Sequence, residues 1–248
     1  MPKAPQRLAL TEKLVAAVER MEPDSGPELA YALMSDDDFA AAARNFLDQL
    51  GGGPIRVFAY GSLIWKQAFE HEHAERGRTH GWRRSFCLDI ARWRATPQEP
   101  GLMMALDRGG SCDGVVFRLP DRDHQAQMER LLRRECSYHE DLKSFRWLKV
   151  RTASGMFPAF TFYAAPMSPG YQIDLPIEQQ ARRIARAAGH VGSNATYLHN
   201  TIVKLTEHGI HDSYLWRLQA LVAEEILKLH PNLREETLSV CPESSCVG

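Results

Sequence analysis

The chain has 248 residues, 44% hydrophobic and 25% charged, and 30 basic against 31 acidic residues give a formal net charge of −1. This is ordinary globular composition with apolar mass for one large core, and the even charge balance argues against a nucleic-acid or membrane surface. Met1 to Leu10 hold no apolar signal-peptide core and no stretch approaches the ~18 apolar residues of a membrane span, so the expected location is the cytoplasm.

Residues 1–53 read as a wholly helical N-terminal extension. Thr11 caps a segment with Leu14, Val15, Val18 and Met21 at helical spacing, and Ser35-Asp36-Asp37-Asp38 starts a second helix with carboxylates at its positive end. Gly51-Gly52-Gly53-Pro54 is the clearest breaker and marks the joint to the main domain, 54–230. Within it, strands are expected at 55–60, 82–89, 102–106, 113–119, 145–152 and 157–164. A helix interrupts at 122–136, and further helices follow at 177–188, 194–207 and 212–229. Strands first and helices last is an α+β order rather than a doubly wound one. Residues 231–248 form a polar C-terminal tail.

The five cysteines are odd in number, irregularly spaced and without C-x-x-C, so free thiols are expected; Cys241 and Cys246 in the tail could pair only on oxidation. The ten histidines show no i, i+4 zinc pattern, and no metal site is expected.

Two stretches carry chemistry. In the 122–136 helix, Met128, Leu131 and Leu132 form an apolar stripe whose next position is Glu135. A carboxylate on that face needs a partner or a job, and burial would raise its pKa toward the range of a general acid or base. An acid/base and a core-edge glutamate paired with a nearby arginine stand level at this point. The second stretch is V-F-A-Y-G-S-L-I-W-K, 57–66, where Gly61-Ser62 breaks an apolar run. A strand ending there turns backbone N–H groups outward, free to bind an anion, although a plain turn reads the same way. It is not a G-x-S-x-G elbow, a Walker loop or G-x-G-x-x-G.

The pieces V-F-A-Y-G-S-L-I-W (57–65), G-W-R-R-S-F-C-L (81–88), R-A-T-P-Q-E-P-G (94–101), D-G-V-V-F-R-L-P (113–120), L-L-R-R-E (131–135) with Tyr138, and G-S-N-A-T-Y-L (192–198) occur in order. Together they resemble the ChaC family of γ-glutamylcyclotransferases, over about two-thirds of the chain. The resemblance implies a mixed sheet or small barrel with flanking helices and the site at its mouth. It implies cyclisation of a γ-glutamyl group to 5-oxoproline, glutathione as the typical substrate with release of Cys-Gly, and no cofactor. Glu135 is then the acid/base. Tyr60, Gly61, Ser62 and Leu63 form the substrate-holding loop, and Tyr138 is a further substrate contact. Tyr197 reads as a structural helix tyrosine. Arg94-Ala95-Thr96 departs from the family's Arg-Gly-Thr, and since alanine resists positive φ, a different loop path is expected. The expected partner is a small γ-glutamyl compound, with no nucleic acid or membrane and the oligomeric state open. Within the same class the alternative is a cyclotransferase for other γ-glutamyl amines or amino acids; the competing class is a non-catalytic γ-glutamyl-binding module regulating a transport partner, which has no need of a glutamate at 135.

Overall fold

The structure, a computed structural model, describes residues 7–27, 31–67, 69–165 and 173–234. Cys241, Cys246 and the tail beyond 234 lie outside the described residues. The N-terminal part holds α1 (Glu12–Val18), capped by the Thr11 side chain, and α2 (Asp36–Leu50), capped by Ser35 in a capping box with Asp38. The wholly helical expectation is corrected between them: residues 19–27 and 31–34 are not helical. Their backbone groups pair across the fold instead, as in Glu22 N–H to the Gly189 carbonyl and Met34 N–H to that of Ser137.

The centre is a closed barrel in the order β1-β3-β2-β4-β5, formed by β1 (Arg56–Ala59), β2 (His73–Ile90), β3 (Gly101–Arg118), β4 (Phe145–Thr152) and β5 (Gly155–Phe162). Closure is by a parallel contact of β1 with β5 at Val57 and Phe160. The strands expected at 102–106 and 113–119 are one strand, β3, running antiparallel to an equally long β2. Two irregularities in that ladder, near His80 and Phe86, let so long a hairpin bend round the barrel. The bend brings backbones close at Gly114, where a Cβ would lie 2.4 Å from the Ala59 carbonyl oxygen.

Between β3 and β4 runs α3 (His124–Glu135), which packs on α2. After β5 come α4 (Ile177–Arg186), a short β6–β7 turn (Ala188–Gly189 with Gly192–Ser193), α5 (Asn194–Glu207) and α6 (Ser213–Leu229). The fully buried Phe58, Phe86, Phe117 and Phe160 fill the centre. Leu10, just before α1, and Leu14, Phe39, Ala43 and Phe46 from the N-terminal helices belong to the same continuous core. Among the described residues, no helix is long and apolar enough to cross a membrane.

Candidate active site

β1 ends at Ala59, and the chain passes through Tyr60 and Gly61 into a 3₁₀ turn, Ser62–Ile64. Ile64 N–H donates to the Gly61 carbonyl, and Trp65 and Lys66 donate to that of Ser62. As the first residues of the turn, Ser62 and Leu63 have N–H groups with no acceptor inside it. Beneath the turn, Arg84 of β2 is 4% exposed. Its Nε donates to the Tyr60 carbonyl at 2.7 Å, while its Nη atoms bond Asp212 and the Asp113 carbonyl. A buried guanidinium with all its partners inside the protein fixes where the strand stops. Nothing in the W-R-R-S-F pattern distinguished Arg84 from its neighbour Arg83.

Gly61 has φ −142°, a handedness open to any residue. Space there is tight: a Cβ would lie 3.1 Å from the Tyr197 hydroxyl, which would have to give by a few tenths of an ångström, and 3.8 Å from Met104 Cε, an ordinary contact. Tyr197 therefore reaches from α5 to the turn, and it lines the cavity together with Tyr60 and Ser62. The expectation of a purely structural Tyr197 is corrected. The stretch G-S-N-A-T-Y-L carried the signal, but helical periodicity could not show which way the ring faced.

Met128, Leu131 and Leu132 of α3 are fully buried. Glu135 ends the helix on their side, and its side chain keeps 22% of its surface, open to the cavity. Burial raises its carboxyl pKa, and the charge of Arg134, hydrogen-bonded to it, opposes the rise. The negative end of α3 pushes in the same direction as burial. Both phenols nearby are held neutral: burial and then the Glu135 charge raise Tyr197, and burial, Tyr197 and Glu135 together raise Tyr60.

These side chains open into a cavity of about 430 Å³. Tyr138 lines it, with a ring 5.5 Å from that of Tyr31 and a hydrogen bond from Arg92. Gly61 and Leu63 are not among the lining residues; Leu63 points into the core at 5% exposure, so only its backbone can face a ligand. The acids on the wall are largely engaged. Asp89 holds Arg183 at 2.8 Å, and Asp141 accepts from the N–H groups of Ser137 and Tyr138. Arg94 and Lys66 also line the cavity and make no ion pair among the described residues. Arg94 lies beneath Trp65 and Tyr197, and burial lowers its pKa. Glu19 offsets part of the Arg94 charge and the Ser193 carbonyl accepts from it, so Lys66 is the less engaged cation of the wall, beside a carboxyl that can carry a proton. That combination suits an anionic ligand with a proton to lose.

Ala95, expected to divert its loop, is 3% exposed and not left-handed; the residue with positive φ is Trp93, at 67°.

A family model described as ChaC-like protein matches residues 55–225. The chain belongs to the ChaC-like family. Among curated relatives, the glutathione-specific gamma-glutamylcyclotransferase of Escherichia coli strain K12 is 33% identical over 181 residues, covering 73% of this chain and 78% of that protein. Gamma-glutamylcyclotransferase 2-1 of Arabidopsis thaliana is 32% identical over 57% of this chain and 69% of its own. A crystal structure of the yeast gamma-glutamylcyclotransferase specific to glutathione superposes with a TM-score of 0.62 at 20% identity, covering 70% of this chain and 97% of that one, which shows the shared fold.

Proposed function

We propose that this chain is a γ-glutamylcyclotransferase that cleaves glutathione to 5-oxoproline and Cys-Gly. The observation that carries the reading is Glu135, a carboxyl with raised pKa on an otherwise apolar helix face, opening into a cavity shared with the Tyr60–Ser62 turn. Its volume of about 430 Å³ falls within the range of small-molecule sites. The membership of the family and the names of its relatives support the same reading.

The chemistry is intramolecular, so the protein has to fold the substrate and move protons. Glu135 takes a proton from the α-ammonium, and the freed amine adds to its own γ-carbonyl carbon. The carbonyl oxygen becomes an oxyanion, whose stabilisation this reading assigns to the backbone N–H groups of Ser62 and Leu63, which have no acceptor inside the turn. As the intermediate collapses, the C–N bond to the Cys-Gly nitrogen breaks and that nitrogen takes the proton held by Glu135; the ring nitrogen then gives its second proton to the freed Glu135 carboxylate, which passes it to the released amine as that becomes an ammonium. Arg94 and Lys66 balance the substrate's carboxylates, Tyr60 and Tyr197 serve as neutral donors, and Tyr138 shapes the pocket wall. The reading carries a cytoplasmic setting, a reducing compartment suited to the buried free thiols Cys87, Cys112 and Cys136.

The test is incubation of the purified protein with reduced glutathione, with 5-oxoproline and Cys-Gly measured, and γ-glutamyl-alanine in a parallel reaction. Both glutathione products are expected. Turnover of γ-glutamyl-alanine alone would keep the cyclisation and replace the substrate; binding of either without turnover would give the site to a binding module.

A further inference from the structure

The family match begins at residue 55, yet residues before it reach the cavity rim. Three separate pieces of chain form that side of the rim: Arg92-Trp93-Arg94, Ser137-Tyr138, and Val191 in the β6–β7 turn. Residues 19–27 and 31–34 touch all three. Asp24 grips Arg92 with both carboxylate oxygens, at 2.7 Å each, and its Oδ1 lies 3.3 Å from His190 Nδ1. Glu19 accepts from Ser193 N–H and from its hydroxyl at 2.7 Å. Met34 N–H bonds the Ser137 carbonyl, His139 N–H bonds that of Ala32, and Leu33 bridges to Tyr138. Neither Asp24 nor Glu19 lines the cavity itself.

The rim needs holding. Trp93 has φ 67°, a conformation that costs a bulky residue about 1–2 kcal/mol. Trp93 is 40% exposed, with the Arg92 guanidinium 4.6 Å and the His190 ring 5.2 Å from its ring. Both of those neighbours are the ones Asp24 engages. Arg92 also reaches Tyr138, so a single carboxylate outside the cavity orders two rim pieces through one guanidinium.

We propose that residues 19–27 and 31–34 form a strap that builds this side of the rim, and that Asp24 is its positioning residue, setting through Arg92 how well the leaving portion of the substrate is held. This rests on the cyclotransferase reading. The γ-glutamyl head is worked on by Glu135 and the Tyr60–Ser62 turn, whereas the strap governs the portion beyond the scissile bond. Its effect falls on substrate binding, with the chemical step largely spared.

The experiment compares wild type, Asp24→Asn, Arg92→Gln and the double variant. For glutathione, Asp24→Asn is expected to raise KM about tenfold with kcat within about threefold. In the Arg92→Gln background, the same change is expected to add less than about twofold, since residues acting as one unit are not additive. Amide hydrogen exchange reads the positioning without any substrate: Asp24→Asn is expected to speed exchange over 91–95 and 137–139 and leave β2–β5 unchanged. Unchanged exchange at the rim overturns the strap. So does full additivity of the two substitutions, or a loss confined to kcat. Wild type inactive on every γ-glutamyl compound would sink the enzyme reading instead, while the exchange result would still decide the strap.

Discussion

At Glu135 two influences oppose each other: burial raises the carboxyl pKa and the charge of Arg134 lowers it. The base form exists only above that pKa, so kcat/KM should fall as pH drops through it, at a pH above the usual glutamate range. Arg134→Gln removes the lowering influence. The acid limb of the pH profile should then move to higher pH; a limb that stays in place would show that Arg134 does not tune the base. Glu135→Gln should cut turnover by roughly 100- to 10,000-fold, the span of general acid–base catalysis. Because the charged form is the costly one inside the protein, the melting temperature should not fall by more than about 3 °C. Gly61 makes a different demand. The Tyr197 hydroxyl stands 3.1 Å from where a Cβ would go, so Gly61→Ala shifts it by a few tenths of an ångström. A loss of about tenfold in kcat/KM is expected, the size of effect that small misplacements produce. Ser62→Ala should cost no more than about fivefold, roughly 1 kcal/mol, since backbone N–H groups do the proposed holding; complete loss with an intact fold would give the hydroxyl a direct role.

Among the elements, the ones with strong internal period were legible. The stripe Met128-Leu131-Leu132-Glu135 gave both α3 and the face on which the carboxyl lies, because 3.6-residue spacing fixes direction as well as type. β4 and α5 also lie where alternation and periodicity put them. The β2–β3 hairpin was only partly legible. Residues 73–81 of β2 carry His73, Glu75, Arg76 and Arg78, whose outward polar side chains hide the strand, and the glycines of 109–114 read as a break when they serve a bend. Arg84 was illegible for a related reason: its role depends on Tyr60, Asp113 and Asp212, brought together from distant parts of the chain. Arg84→Met leaves the Tyr60 carbonyl and Asp212 without their donor, so a loss of about 3 kcal/mol is expected. Chemical denaturation should show that loss, and the activity of the remaining folded protein should fall as well. A stability loss with activity per folded molecule unchanged would separate Arg84 from the turn it is argued to hold.

Across the whole molecule, the breaker Gly51-Gly52-Gly53-Pro54 suggested an extension set apart from a main domain, but composition cannot show what lies beneath a helix. Phe46 of α2 packs edge-on against Phe160 of β5 at 4.8 Å and lies 5.9 Å from Phe145 of β4. On the other side, the Leu10 N–H donates at 2.7 Å to the Gln219 side chain on α6, wholly inside the protein. α2 thus packs on the barrel and on α3, while α1 and the Leu10 segment before it pack on α5 and α6, and both helices belong to one continuous core. Burial of this kind couples elements into one cooperative unit, whereas a tethered extension would melt by itself. We therefore expect one unfolding transition, seen alike by far-ultraviolet and near-ultraviolet dichroism. Phe46→Ala should remove about 3–4 kcal/mol and lower the whole transition by roughly 10 °C. If an early transition split off in that variant while the barrel kept its melting temperature, residues up to 53 would be a separate unit. The strap over the cavity rim would then be held from the rim alone. A single displaced transition would mean that the rim contacts of Asp24 and Glu19 are anchored through the same core that positions Glu135.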